Sequence, residues 1–445
     1  MLSKKTASLA AVVLWGIAVA ATPAGFSGSF STVASSASRR GTEIASLQAV
    51  FPESADVREA FQRALQEGRL LSPPRENAWE LYQQYQRLPV PDTQKEAAQE
   101  DLRIALATAG DRVLGAYRRG DTVTPLSASH FEEGAQLFAR ASELAPDDAA
   151  LSLKAKFMQG RALVERRRFP EGMNLLRQVI ASDPETAYSY NALGIAYLEQ
   201  QRWNEAIQNF RDASGRAANW VYPHFNLARV YAAQRRYREA EQEFKVGIAL
   251  GTELGLKYSY LYYNLGILLV YQGRFDEAEQ HFRRAIEMKP DDALSLHNLG
   301  LIFERRGDQS QAEGYFREAA DFDAQMVEPR LRLAEIYRRR RRADLREAIL
   351  REAVAGDPRN AVALESLARF LLESKKLDEA EQAFLQMLSG ERNAPVALAG
   401  LGDVHAAQQR FAEAAEDYRQ ALTRTTDRSL RRELERKVRA VERQP

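Results

Sequence analysis

The chain has 445 residues, 45% of them hydrophobic and 28% charged, with 62 basic and 61 acidic side chains that nearly cancel. That is ample material for a core, while the balanced charge argues against a nucleic-acid binder with its basic stripe and against a membrane-surface protein with its basic helix. Cysteine is absent, which removes disulfides and thiolate metal sites and suits an oxidising compartment.

Lys4 and Lys5 precede an apolar run from Ala7 to Ala21 that carries a small-x-small cleavage site, Ala18-Val19-Ala20. Residues 1–21 are therefore expected to be a secretory signal peptide and the mature protein to be periplasmic or secreted. The alternative is an uncleaved membrane anchor formed by residues 7–26, although the run is Ala-rich and short for a span of about 20 residues. Residues 22–40 are Ser-rich and aperiodic, as expected of a flexible linker.

Residues 41–150 predict a helical N-terminal region containing a degenerate repeat. Val57, Phe61 and Leu65 share one helical face ended by Gly68, and Ser72-Pro73-Pro74 separates them from an aromatic helix with Trp79, Tyr82 and Tyr85. A long helix over about 92–118 has the apolar stripe Leu102, Ala105, Leu106, Ala109, Val113 and Tyr117. After the loop from Gly120 to Ser129, Phe131, Gly134, Phe138 and Ala141 mark a further helix.

From there a two-helix unit repeats. In residues 259–292, Leu265, Leu268 and Leu269 lie on one face of a first helix, and Phe275, Ala278, Phe282, Ala285 and Ile286 on one face of a second. Gly273 stops the first helix, Asp276 and Glu277 favour the positive N-terminus of the second, and Pro290 follows its end. The place of Gly266 is held in turn by Gly160, Gly194, Ala228, Gly266, Gly300, Ala334, Ala368 and Gly402, at steps of 34 residues with a single step of 38. The place of Phe282 is held by Leu176, Phe210, Phe244, Phe282, Phe316, Leu350, Phe384 and Tyr418. This pattern resembles the tetratricopeptide repeat (TPR), a helix-turn-helix of 34 residues. The resemblance implies an all-α, right-handed α-solenoid, with eight repeats over residues 151–428 and a capping helix over 429–445 striped by Leu430, Leu434, Val438 and Val441. The four extra residues of the third repeat fall in Leu250–Leu256 and are expected in a loop. Arg346, at a place normally small, predicts loose packing in the sixth repeat.

No catalytic or metal motif is visible. The five histidines, His130, His224, His281, His297 and His405, never pair at three or four apart, and no phosphate-cradling glycine loop or nucleophile elbow occurs. A non-enzymatic protein without cofactor, metal or small-molecule substrate is expected.

The binding candidates lie on the first helices, which the resemblance places on a concave face. Asn226, Asn264 and Asn298 hold one place in three successive repeats, where an amide offers both donor and acceptor to the backbone of an extended peptide. This short ladder is similar to that of the TPR superhelix of O-linked N-acetylglucosamine transferases, and upstream it lapses at Ala192, with Asn191 one residue earlier. Tyr188, Tyr222 and Tyr260 share the second place, and Phe157, Phe225 and Tyr263 the fifth; the resemblance implies that both rows face the groove, where aromatics make strong contacts. His297 reads as a polar residue lining the same groove. Trp203, Tyr237 and Phe275, which open second helices, are expected in the core. The carboxylate clamp of chaperone-binding TPR proteins is absent, because no repeat has Lys and Asn at its fifth and ninth places.

Arg338, Arg339, Arg340, Arg341 and Arg342 form an uninterrupted cationic run that invites an anionic lipid or nucleic acid, or is simply a solvated helix end with Glu335, Asp344 and Glu347 nearby. The expectation is an exported scaffold that holds a partner protein or extended peptide in its groove during envelope assembly or secretion. The alternative is a substrate-presenting subunit of an enzyme such as a glycosyltransferase. A membrane enters only if the N-terminal segment stays uncleaved.

Overall fold

The computed structural model describes residues 52–119, 126–390 and 394–444, which are helical with no strand among them. The expected signal peptide and linker lie outside the described residues. None of the described helices is long and apolar enough to cross a membrane. The chain divides into two compact units at Leu102/Arg103.

In the first unit, α1 (Pro52–Gln66) ends at Gly68, whose φ of +70° is the left-handed geometry that glycine adopts without steric cost. Asn77 caps α2 (Ala78–Gln86): its Oδ1 accepts from the Glu80 N–H at 2.9 Å and its amide donates to the Pro73 carbonyl at 2.9 Å. Phe61 packs on Tyr82, and the Tyr82 and Tyr85 hydroxyls donate to Gln99 and Gln94 at the start of α3 (Asp92–Arg119).

The second unit contains the rest of α3, then α4 (Ala128–Leu144) and a solenoid of eight helix pairs. Repeat 1 is α5 (Ala149–Glu165) and α6 (Phe169–Ser182), and repeat 2 is α7 (Ala187–Glu199) and α8 (Trp203–Arg216). Repeat 3 is α9 (Val221–Ala233) and α10 (Tyr237–Glu253), repeat 4 α11 (Ser259–Tyr271) and α12 (Phe275–Met288), and repeat 5 α13 (Ala293–Arg306) and α14 (Gln309–Phe322). Repeat 6 is α15 (Val327–Arg339) and α16 (Ala343–Gly356), repeat 7 α17 (Ala361–Glu373) and α18 (Leu377–Leu388), and repeat 8 α19 (Ala394–Ala407) and α20 (Phe411–Arg424), followed by α21 (Arg428–Val441).

The repeated small residue brings the paired helices together. A Cβ on Gly266 would stand 2.7 Å from the Phe282 ring, so any larger side chain here would force the pair apart. Between the helices of each pair the chain reverses through one left-handed residue, at Arg167, Gln201, Arg235, Gly273, Gly307, Arg341, Lys375 and Gln409. In repeat 2 the Arg202 N–H reaches the Tyr197 carbonyl at 2.9 Å and the Gln201 N–H reaches Leu198 at 2.9 Å, the pair of bonds that closes a Schellman motif.

Three expectations change. The insertion of repeat 3 is mostly helical, because α10 runs to Glu253 before Gly255 turns at φ +66°. Four residues add about one helical turn, so the apolar face keeps its direction. Arg346 does not loosen repeat 6: its guanidinium lies 4.9 Å above the Phe370 ring and pairs with Glu373 at 2.8 Å, leaving Ile349, Leu350 and Ala353 to close the core. Trp203, Tyr237 and Phe275 are only partly buried, and Arg305 covers Phe275 at 4.3 Å. At the C-terminal end α21 caps the array, with Leu434 fully buried and Val441 nearly so, Leu430 and Val438 packed on the same core, and Lys437 paired with Asp403 at 2.8 Å.

Candidate functional site

The inner face is defined by Tyr117, on the last turn of α3. Its ring lies 5.5 Å from Phe157 on α5 and 6.1 Å from Tyr222 on α9, and its hydroxyl accepts from the Asn191 amide of α7 at 2.8 Å. One side chain touches the first helices of three successive repeats only if those helices curve around it. The face is therefore concave at this end, and α3 lies across it. Asp111 pairs with Lys154 at 2.7 Å, the Trp220 indole donates to the Arg118 carbonyl, and Gly110 lets the helix close on Phe138.

A buried hydrogen-bond chain runs from this contact. The Asn226 amide donates to Asn191 Oδ1 at 3.1 Å, and Arg229 donates to Asn226 Oδ1 at 3.2 Å. Asn191, set aside in the sequence because it sits one place early, is the link between Tyr117 and Asn226. Burial holds the Tyr117 hydroxyl well above the ordinary phenol range, so it stays protonated. Arg161, 5% exposed, lies 5.7 Å above the Tyr117 ring and 5.1 Å above Phe131, and its charge is balanced by Glu165 at 2.5 Å.

Several predicted site residues are thus inside the packing. Phe157, Phe225 and Asn226 are 0%, 3% and 0% exposed and present no surface to a peptide, which corrects the expectation that they line an open groove. The physical reason is the presence of α3 and the interlocking of the aromatic rows. Tyr188 packs edge-on to Phe157 at 4.5 Å, Tyr222 stacks on Phe225 at 5.9 Å, and Tyr260 meets Phe225 edge-on at 4.8 Å.

Repeats 4 and 5 differ. Tyr263 and Asn264 are partly exposed, and Leu294, at the second place of repeat 5, is 42% exposed, although Asn298 is buried like Asn226, which corrects the expectation that it lines an open groove. The Asn264 and Asn298 amides donate to the carbonyls of Tyr260 and Leu294 on their own helices, at 2.7 and 2.8 Å. Nδ1 of His297 is buried without a hydrogen-bond partner among the described residues, and burial, with Arg332 nearby, pushes the ring down to about 4. His297 is therefore neutral at physiological pH.

Farther along, the inner face carries ion pairs. Arg332 and Arg339 reach Glu304 at 3.4 and 3.7 Å, and Arg338 and Arg339 reach Glu335 at 2.7 and 2.9 Å, which pulls that carboxyl down to about 2. Arg340 pairs with Glu313 and Arg342 with Asp344. Of the expected anion patch, Arg338, Arg339, Arg340 and Arg342 are thus matched by carboxylates, while Arg341 is the exposed left-handed turn residue. No group of three or more His, Asp or Glu side chains that could hold a metal ion occurs among the described residues.

The tetratricopeptide repeat model matches residues 157–219, 263–327, 331–397 and 391–429, and a second model of the same repeat matches 221–291. No curated protein matches the chain. Among solved structures, the chain is similar to PilF of Pseudomonas aeruginosa, at 21% identity over 48% of this chain and 96% of that one, TM-score 0.40. It is also similar to the APC/C hetero-tetramer Cut9-Hcn1, at 17% identity over 78% and 62%, TM-score 0.40. YrrB, described as a TPR protein with an unusual peptide-binding site, is 18% identical over 43% of this chain and 96% of that one, TM-score 0.34. With its repeats matched over more than half its length and its helices stacked in pairs through a shared left-handed turn, the chain belongs to the tetratricopeptide repeat family and is a scaffold suited to protein–protein interaction.

Proposed function

We propose that the protein is an exported adaptor that holds a partner protein or peptide on the inner face of repeats 4 and 5, in envelope assembly or secretion. The observation that carries the site is local: Asn264 donates an amide hydrogen to its own helix and stays partly exposed beside Tyr260, Tyr263 and the exposed Leu294, with Asn298 buried behind them and hydrogen-bonded to the Leu294 carbonyl and to Tyr263. These groups together offer an apolar floor with a few directed polar atoms, the composition of a specific peptide site. Export rests on the basic and apolar start of the sequence.

The test is capture of partners from a cell-envelope extract, followed by titration of a purified partner against the chain carrying both Asn264→Ala and Asn298→Ala. Two lost hydrogen bonds of about 0.5–1.5 kcal/mol each weaken binding by roughly tenfold, with the melting temperature held. Unchanged affinity, or a partner that binds equally when both are replaced, removes these repeats from the site. Recovery of the chain in the cytoplasmic fraction removes export.

A further inference from the structure

The near-cancelling charge of the whole chain hides a local excess: residues 424–445 hold seven arginines and one lysine against four acids. On α21, Arg428, Arg432, Arg436 and Arg439 follow one another at spacings of four, four and three, so they form one row about 16 Å long, with Arg443 one spacing further on. The row stands opposite the stripe of Leu434 and Val441 that closes the core, and all five arginines are exposed. None of the five has a carboxylate at ion-pair distance among the described residues. Glu433 pairs with Lys437 at 2.9 Å and Glu442 with Arg419, which leaves Glu435 on the flank of the row. The contacts these guanidiniums do make are to backbone, from Arg432 to the Arg428 carbonyl at 3.2 Å and from Arg439 to the Glu435 carbonyl at 3.1 Å. Other helices pair exposed arginines with an acid three or four places away, as in Arg202 with Glu205, Arg236 with Glu239, Arg351 with Glu347 and Arg369 with Glu365. Here each arginine meets another, and like charges at that spacing weaken a helix. A row that lowers the stability of its own cap, on an exposed surface, is suited to negative charge from outside.

We propose that the arginine row of α21 docks the protein on an anionic lipid surface, its guanidiniums donating to headgroup phosphates. Guanidinium is the cation suited to phosphate, which it meets through two parallel N–H donors. The apolar face of α21 is already packed on the core, so the helix does not sink into acyl chains, and the contact is electrostatic and confined to the headgroups. Lipid headgroups move laterally and gather under a straight row of charge. A nucleic-acid site would add rings to stack bases or amides to read them, and α21 has neither. The run at Arg338–Arg342 lacks this capacity, because four of its five members are matched by carboxylates. The inference goes beyond the scaffold reading and uses none of the residues of repeats 4 and 5.

The test is sedimentation of the full-length protein with lipid vesicles. At about 0.1 M salt, binding to vesicles with about 30 mol% phosphatidylglycerol is expected to exceed binding to pure phosphatidylcholine at least tenfold, and to fall at least tenfold when salt is raised to about 0.5 M. Arg428→Gln, Arg432→Gln and Arg436→Gln together leave the core untouched. They should lower affinity for the anionic vesicles by roughly thirtyfold or more while the melting temperature holds or rises, since the like-charge contacts are gone. Arg338→Gln, Arg340→Gln and Arg342→Gln together remove the same charge from the matched run and should change that affinity by less than about threefold. Equal binding by the α21 variant and the unaltered chain overturns the proposal, and an equal loss in both triple variants overturns it in favour of an attraction set by total charge. Equal binding to neutral vesicles assigns attachment to the apolar start of the sequence and likewise overturns the row. Tighter binding to an oligonucleotide than to the anionic vesicles at the same salt, lost in the α21 variant, makes nucleic acid the partner and overturns the lipid reading. These readouts involve no partner protein, so they succeed or fail independently of the site on repeats 4 and 5.

Discussion

The two ends of the inner face are built from the same repeat and solve different problems. In repeats 1–3 the fifth place of the first helix holds Phe157, Asn191 and Phe225, all buried, the first two joined to Tyr117 of α3 by a ring contact and a hydrogen bond and the third packed on Tyr222, Phe244 and Tyr260. In repeats 5–7 the same place holds His297, Leu331 and Glu365, all partly exposed, and successive first helices are linked by ion pairs such as Arg332 to Glu304. The backbone scaffold is common to both ends. What differs is whether the side chains close on a piece of the same chain or on one another, so one scaffold carries an occupied apolar cage at one end and a solvated charged lattice at the other.

The comparison is broken most severely at Phe157. It is fully buried between Tyr117 and Tyr188, so Phe157→Ala should cost about 3–5 kcal/mol by the transfer and cavity terms together. The partly buried Leu331, at the equivalent place of repeat 6, should cost distinctly less when replaced by alanine. Chemical denaturation of the two variants checks this, and equal losses would mean that α3 adds nothing to the upstream packing.

His297 stands at the boundary and sharpens the contrast through pH. Its folded value near 4 lies below the ordinary 6.5, so between these limits the unfolded chain binds a proton that the folded chain refuses. Above pH 6.5 the group has no effect. As pH falls toward 4 it removes up to about 3 kcal/mol of stability, an upper figure because the ring is partly exposed. Glu335, held near 2 first by its hydrogen bond to Arg338, keeps its charge throughout this window and does not contribute. Thermal melts of the native chain and of His297→Phe from pH 7 to pH 4 should therefore diverge in slope, and parallel curves would show that the ring is solvated.

Much of this architecture was legible because it is local. The register of Gly266 against Phe282 is written in residues 16 apart, and every repeat restates it. The left-handed turn was legible at Gly273 and hidden at Arg167, Gln201, Arg235, Arg341, Lys375 and Gln409, where Schellman hydrogen bonds hold residues without glycine's freedom in that geometry. The candidate site was less legible. Asn191 meets Tyr117 across 74 positions and Trp220 meets Arg118 across 102, contacts with no local period to announce them. Burial of Phe157 follows from that long-range docking, and that of Phe225 and Asn226 from neighbouring rings and Asn191, so the sequence pointed to a helix face and could not say that part of it was already covered.

The smallest expected effect tests the charged end. Glu304 is approached by Arg332 at 3.4 Å and Arg339 at 3.7 Å, and Arg332 is 48% exposed at its side chain, so solvent screens much of the attraction. Arg332→Ala leaves Arg339 in place on the same carboxylate, and the loss should stay below about 1 kcal/mol. Raising the salt from 0.1 M to 1 M shortens the screening length from about 10 Å to about 3 Å and should weaken the same lattice without any substitution. Hydrogen exchange distinguishes the two ends in one experiment: α15 should lose protection as salt rises, while α7 and α9, held by rings and buried amides, should not. If α7 and α9 lose protection equally, the Lys154 to Asp111 pair, and not the Tyr117 cage, is what holds α3 in place, and the contrast between the ends collapses into a single electrostatic one.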